Sequence, residues 1–123
     1  MNAVLAMKQY QQVNIHSGIM DASPHRLIQM LMEGALERIA LAKGNMANNN
    51  IATKGENIGK AIGIIDGLQA SLNKEAGGTL AENLSNLYDY MTHRLVVANL
   101  RNDESILNEV ASLMAEIKTG WDN

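Results

Sequence analysis

Along this chain, apolar residues recur every third or fourth position in four successive segments, and only a few residues connect one segment to the next. A period near 3.6 marks helices that each need one face buried. Helices joined by connections that short pack antiparallel against their neighbours in sequence. The pattern therefore predicts an all-α fold, an up-down-up-down antiparallel four-helix bundle over residues 23–123, with helices at about 24–48, 51–75, 80–101 and 103–120.

The boundaries follow from capping chemistry. Ser23 is placed to bond an orphan N–H of the first helix, and Pro24 at the first helical position loses no hydrogen bond there. Ile28, Leu31, Ala35, Ile39, Ala42 and Met46 then form a stripe until Asn48-Asn49-Asn50 interrupts it. The second stripe is Ile51, Ile58, Ile65 and Leu72, joined by Ala61, Ile62 and Leu68, and it runs out at Gly77-Gly78, a C-terminal stop signal. Thr79 and Glu82 have the spacing of a capping box for the third helix, whose stripe is Leu80, Leu84, Leu87, Tyr88, Met91, Leu95 and Ala98. Asn102-Asp103-Glu104 opens the last helix with acids at its positive end, and Ile106, Val110, Leu113, Met114, Ile117 and Trp121 follow. Residues 1–22 stand apart. Val4, Met7 and Tyr10 or Gln11 have the spacing of a short amphipathic segment, with a frayed terminus as the alternative.

The second helix carries an internal conflict. Gly55, Gly59, Gly63 and Gly67 recur every fourth residue, and three of them in a helix interior cost about 3 kcal/mol relative to alanine. Each step of four advances the position by about 40 degrees, so the glycines drift from the edge of the core stripe onto the polar back beside Glu56 and Lys60. Two readings stand: a bare furrow that lets another helix approach closely, or surface glycines that a well-packed bundle tolerates.

Composition narrows the function classes. The chain has 123 residues and no cysteine, which excludes disulfides, thiolate metal sites and thiol nucleophiles, and suits a reducing cytoplasm. A net charge of −3, with ten Lys and Arg dispersed singly, leaves no basic patch for nucleic acid. The longest apolar runs, at residues 3–7 and 95–98, are far too short for a membrane span or a signal-peptide core. A di-metal carboxylate site in a bundle needs Glu-x-x-His pairs, and none occurs. Asp89 and His93 are spaced i,i+4 without a third ligand and read as a solvated pair; Glu33 and Glu37 mark a wet face, and His16 and His25 read as surface residues. With no phosphate loop or nucleophile elbow, the expectation is a non-enzymatic protein without cofactor or metal.

More apolar side chains are present than one bundle core needs. On the third helix Tyr90 and Val97 share a second flank, with Val96 and Leu100 further round; Ile64 and Leu68 edge the second helix, and Met30 and Leu41 lie off the stripe of the first. Scattered surface hydrophobes need no explanation. The alternative is a groove between the second and third helices, lined by Ile64, Leu68, Tyr90, Val97 and Leu100, that receives an amphipathic helix.

Tyr10 in MKQYQQV, ASPHRLIQMLMEGALERIALAKG from Ala22, KGENIGKAIGIIDGLQASLN from Lys54, GGTLAENLSNLYDYMTHRLVVAN from Gly77 and the closing Trp121 together resemble the FliS family, nearly end to end. These are flagellin-specific export chaperones of the bacterial flagellar secretion system. The resemblance implies a small, soluble, cytoplasmic, non-enzymatic bundle that binds the C-terminal segment of flagellin, prevents premature polymerisation and helps deliver the subunit to the export apparatus. It also implies a possible regulatory partner, a flagellar anti-sigma factor; the oligomeric state is left open between a monomer and a weak dimer. It adds Tyr10 to the partner-binding residues, while the amphipathic spacing of Val4, Met7 and Tyr10 makes the N-terminal segment a candidate cover for the groove. Gly59 and Gly63, where relatives carry polar residues, and Met32, where they carry Tyr, depart from the family pattern.

Overall fold

The capping residues behave as their order predicts. In the computed structural model, which describes residues 22–123 apart from the side chains of residues 74–76, the Ser23 hydroxyl accepts the Arg26 backbone N–H at 3.1 Å. Pro24 then begins α1 (Pro24–Ala47). The segment carrying Val4, Met7 and Tyr10 lies outside the described residues.

The asparagine run has three jobs in sequence. Asn48 closes α1, Asn49 turns the chain at φ 55°, and the Asn50 side chain accepts the Thr53 N–H at 3.4 Å to open α2 (Ile51–Ala70). Asparagine suits this because its short amide tolerates the left-handed region and competes well for backbone groups. The same device returns before the last helix. Asn102 sits at φ 53°, and the Asp103 carboxylate accepts the Ser105 N–H at 2.9 Å to cap α4 (Glu104–Asp122). The bond from the Ser105 hydroxyl and those from the backbone hold the Asp103 carboxyl below its ordinary range.

Between α2 and α3 (Lys74–Arg101) the structure departs from the expected boundaries. The second helix ends at Ala70, and helical structure resumes at Lys74, before the glycine pair. A single turn closes with the Gly77 N–H donating to the Asn73 carbonyl at 2.7 Å. Gly78 then breaks the helix at φ 53°, ψ −129°, a conformation reserved for glycine. A Cβ on Gly77 would lie 2.6 Å from the Cβ of Ala81, so neither position admits a side chain without a shift. The glycine pair is thus a kink within a helical run. Thr79 and Glu82 exchange no hydrogen bond in it.

The four helices among the described residues form a ring in which α1 touches α2 and α4, and α3 touches the same two. Polar contacts fix the directions. The start of α1 meets the end of α4, where Trp121 Nε1 donates to the His25 carbonyl at 3.0 Å, the two rings stack 4.8 Å apart, and Gln29 donates to Asp122 at 2.7 Å. At the other end Lys54, early in α2, reaches the C-terminus of α3, while Gln69, late in α2, reaches Ser85 and Asp89 early in it. The core is filled by Leu31, Met32 and Ile39 of α1, Ile58, Ile65 and Leu68 of α2, Tyr88, Met91 and Leu95 of α3, and Leu107, Val110 and Met114 of α4. Burial pushes the Tyr88 phenol up to about 12.

Candidate partner-binding surface

The side of a helix that faces each neighbour can be read from the contacts above. On α2, Asn57 bonds Arg38 and Asn45 of α1, so its flank faces α1; Gln69 bonds Ser85 and Asp89, so its flank faces α3. Ile64 lies seven residues from Asn57 and shares the α1-facing flank. Leu68 is 1% exposed and belongs to the core. On α3, Tyr90 and Arg94 both bond Glu109, so the Tyr90 and Val97 flank faces α4. Of the described residues expected to line one groove, Ile64 and Leu68 lie away from Tyr90 and Val97; Tyr10 falls outside the described residues.

What the structure does assemble is an apolar outer face on α3. Tyr90 is 44% exposed, Val96 46% and Leu100 81%. Val97 lies beside Tyr90 but is half-buried and packs against the core. Seven residues before Val96, Asp89 meets Gln69 of α2, so Val96 borders the α2/α3 seam, and Leu100 follows one turn later. Across that seam stands Ile51, 71% exposed at the first turn of α2. Its step-of-seven spacing with Ile58 suggested a core position, but at the end of the helix no neighbour stands over it. Gly55 and Ile62 continue the same flank of α2.

The α4 side of this face is polar and tied down. Glu109 accepts the Tyr90 hydroxyl at 2.7 Å and Arg94 Nε at 2.9 Å. The Tyr90 bond, then the Arg94 bond, lowers the Glu109 carboxyl below its ordinary range, and the same bond to Glu109 raises the Tyr90 phenol. The hydroxyl bond to Glu109 ties down the end of the exposed Tyr90 ring.

Helical-wheel reasoning singled out Tyr90 and Leu100, which are exposed, and Val97, which packs against the core, but missed Ile51 and the residues beneath the seam. Among these is Lys54, a charged residue only 5% exposed. Its position one turn from the apolar Ile58 was a faint signal, and nothing in the sequence named its acceptors.

Fold and surface together give a helical bundle whose third helix carries exposed apolar side chains beside the seam between two helices. The family model for the flagellar protein FliS matches residues 6–123. A flagellar secretion chaperone FliSB of Pseudomonas aeruginosa is 58% identical over 99% of this chain and 97% of its own length. The flagellar secretion chaperone FliS of Salmonella typhimurium is 47% identical over 94% of this chain and 86% of its own, and that of Bacillus subtilis 36% over 91% and 80%. The chain belongs to the FliS family. No helix among the described residues is long and apolar enough to cross a membrane.

Proposed function

We propose that this protein is a cytoplasmic export chaperone that binds the C-terminal segment of flagellin, keeps it from polymerising early and helps hand it to the flagellar secretion apparatus, without catalysis. The observation that carries the reading is the outer face of α3, where Tyr90, Val96 and Leu100 stand exposed, with the exposed Ile51 across the α2/α3 seam from Val96 and Leu100. A chain that is disordered alone and helical when assembled has an apolar face that needs covering, and a rigid bundle with a complementary face covers it at little ordering cost to itself. Membership of a family whose relatives are named flagellar secretion chaperones supports the same client class.

Calorimetric titration with the C-terminal segment of the organism's own flagellin tests this. Binding near one to one with a negative heat-capacity change is the expected result. A protein that dimerises and takes up no flagellin is instead a self-associating bundle, and one that binds only a flagellar anti-sigma factor is a regulator-binding module. Within the same reading, the N-terminal segment with Val4, Met7 and Tyr10 covers the client surface until flagellin displaces it. Deleting residues 1–12 then speeds association; a marked loss of affinity makes the segment a direct client contact.

A further inference from the structure

Lys54 is buried one turn into α2, and its ammonium donates to the Asn99 backbone carbonyl at 3.2 Å and to Asn102 Oδ1 at 3.0 Å. Both acceptors are neutral. Among the described residues no carboxylate lies within ion-pair distance of it. The C-terminal end of α3 offers partial negative charge, which explains where the ammonium sits, but carbonyl dipoles do not cancel a full buried charge.

The neighbouring residue leaves this spot open. A Cβ on Gly55 would meet only the Asn99 side-chain amide, at 3.9 Å from Nδ2 and 4.0 Å from Oδ1. That amide has no hydrogen-bond partner among the described residues. A larger residue at position 55 would cover it. Around the opening stand Ile51 on α2 and Val96 and Leu100 on α3, all exposed. The seam is apolar at its rims, with the Asn99 amide at its opening and the Lys54 ammonium bonded to the backbone carbonyl of the same residue.

We propose that the seam over Gly55 seats one carboxylate of an otherwise apolar partner helix, which accepts a hydrogen bond from the Asn99 amide and lies in the field of the Lys54 ammonium. The partner is an amphipathic helix with a single acidic residue set among its apolar contacts. This rests on the flagellin reading above and adds the register of the client to it. An apolar seam alone holds a helix equally well after a slip of one turn; a charge that must meet a charge at one level does not. A basic residue brought to that level is rejected, because it faces a buried like charge.

The test uses the full chain and two synthetic peptides, the flagellin C-terminal segment and the same segment with its Asp and Glu residues changed to Asn and Gln. Affinities are measured by calorimetry at low and high salt for wild type, Gly55→Leu and Asn99→Leu. Gly55 is half-buried and a Cβ there meets only the Asn99 side chain at ordinary contact distance, and Asn99→Leu keeps the backbone carbonyl that holds Lys54, so both variants are expected to retain the bundle; unchanged helical content and melting temperature check this. Wild type is expected to prefer the acidic peptide by about tenfold or more, with the preference shrinking in high salt. Gly55→Leu abolishes the preference and weakens binding of the acidic peptide by a similar factor, and Asn99→Leu weakens the acidic peptide selectively. Equal affinity of wild type for both peptides, or wild-type behaviour of Gly55→Leu, overturns the carboxylate seat while leaving the flagellin reading intact. Failure of wild type to bind either peptide removes the flagellin reading and this inference with it.

Discussion

Glu109 takes two donors from α3, Tyr90 Oη at 2.7 Å and Arg94 Nε at 2.9 Å, and among the described residues it is one of three carboxyls held below their ordinary range. Asp122 is lowered chiefly by Lys118 and then by Gln29, and Asp103 chiefly by Ser105. A depressed folded pKa adds stability above the unfolded value and loses it as pH falls through the folded one. Unfolding midpoints should therefore decline as the solution is acidified below the ordinary carboxylate range, and Glu109→Gln should flatten part of that decline. All three groups are at least partly open to solvent, so the slope should also shrink in high salt. Denaturant titrations at several pH values and two salt concentrations check both effects; an acid limb unchanged in Glu109→Gln would remove the α3/α4 tie as a contributor.

The helices carry their glycines for different reasons, and substitution separates them. Nothing lies within 4 Å of a Cβ on Gly59, and its backbone is helical. Gly59→Ala should stabilise the protein by about 0.5–1 kcal/mol, read as a higher urea midpoint. If flagellin binding survives that change, the furrow at this position has no role in the client surface. Gly78 is the opposite case. Its φ of 53° and ψ of −129° strain any other residue, so Gly78→Ala should cost about 1–3 kcal/mol. A neutral Gly78→Ala would mean that the kink relaxes freely into a continuous helix.

For the whole molecule, stability and binding should separate cleanly. Leu100 is 81% exposed and Leu95 is fully buried in the ring of helices. Leu100→Glu should leave the melting temperature nearly unchanged while weakening flagellin binding, because it alters only the outer face. Leu95→Ala should lower stability by about 2–5 kcal/mol through the cavity it leaves. Val97 packs against the core, so Val97→Glu is expected to disturb the bundle itself, unlike Tyr90→Glu on the same flank. An unfolded Leu100→Glu would place that residue inside the structure and undo the assignment of the outer face.

Periodicity and caps sufficed for the all-α bundle, because each stripe must be buried and Ser23, Asn50 and Asp103 each satisfy orphan N–H groups locally. These are short-range physics, written in adjacent residues. They also identified Tyr90 and Leu100 as surplus to the core. Which flank faces which neighbour is set by pairings across the bundle, and only tertiary structure decided those. Ile64 turns to α1 because Asn57 on its flank meets Arg38 and Asn45 there, and Ile51 is exposed because the helix ends beneath it. The start of α3 also escaped the sequence, since Gly77 and Gly78 read as a stop whether the chain ends a helix or kinks within one. Lys54 shows the same limit most sharply. A lysine in sequence is a surface charge by default, and only the arrival of the α3 C-terminus, with the carbonyl of Asn99 and the amide of Asn102, lets its ammonium be buried.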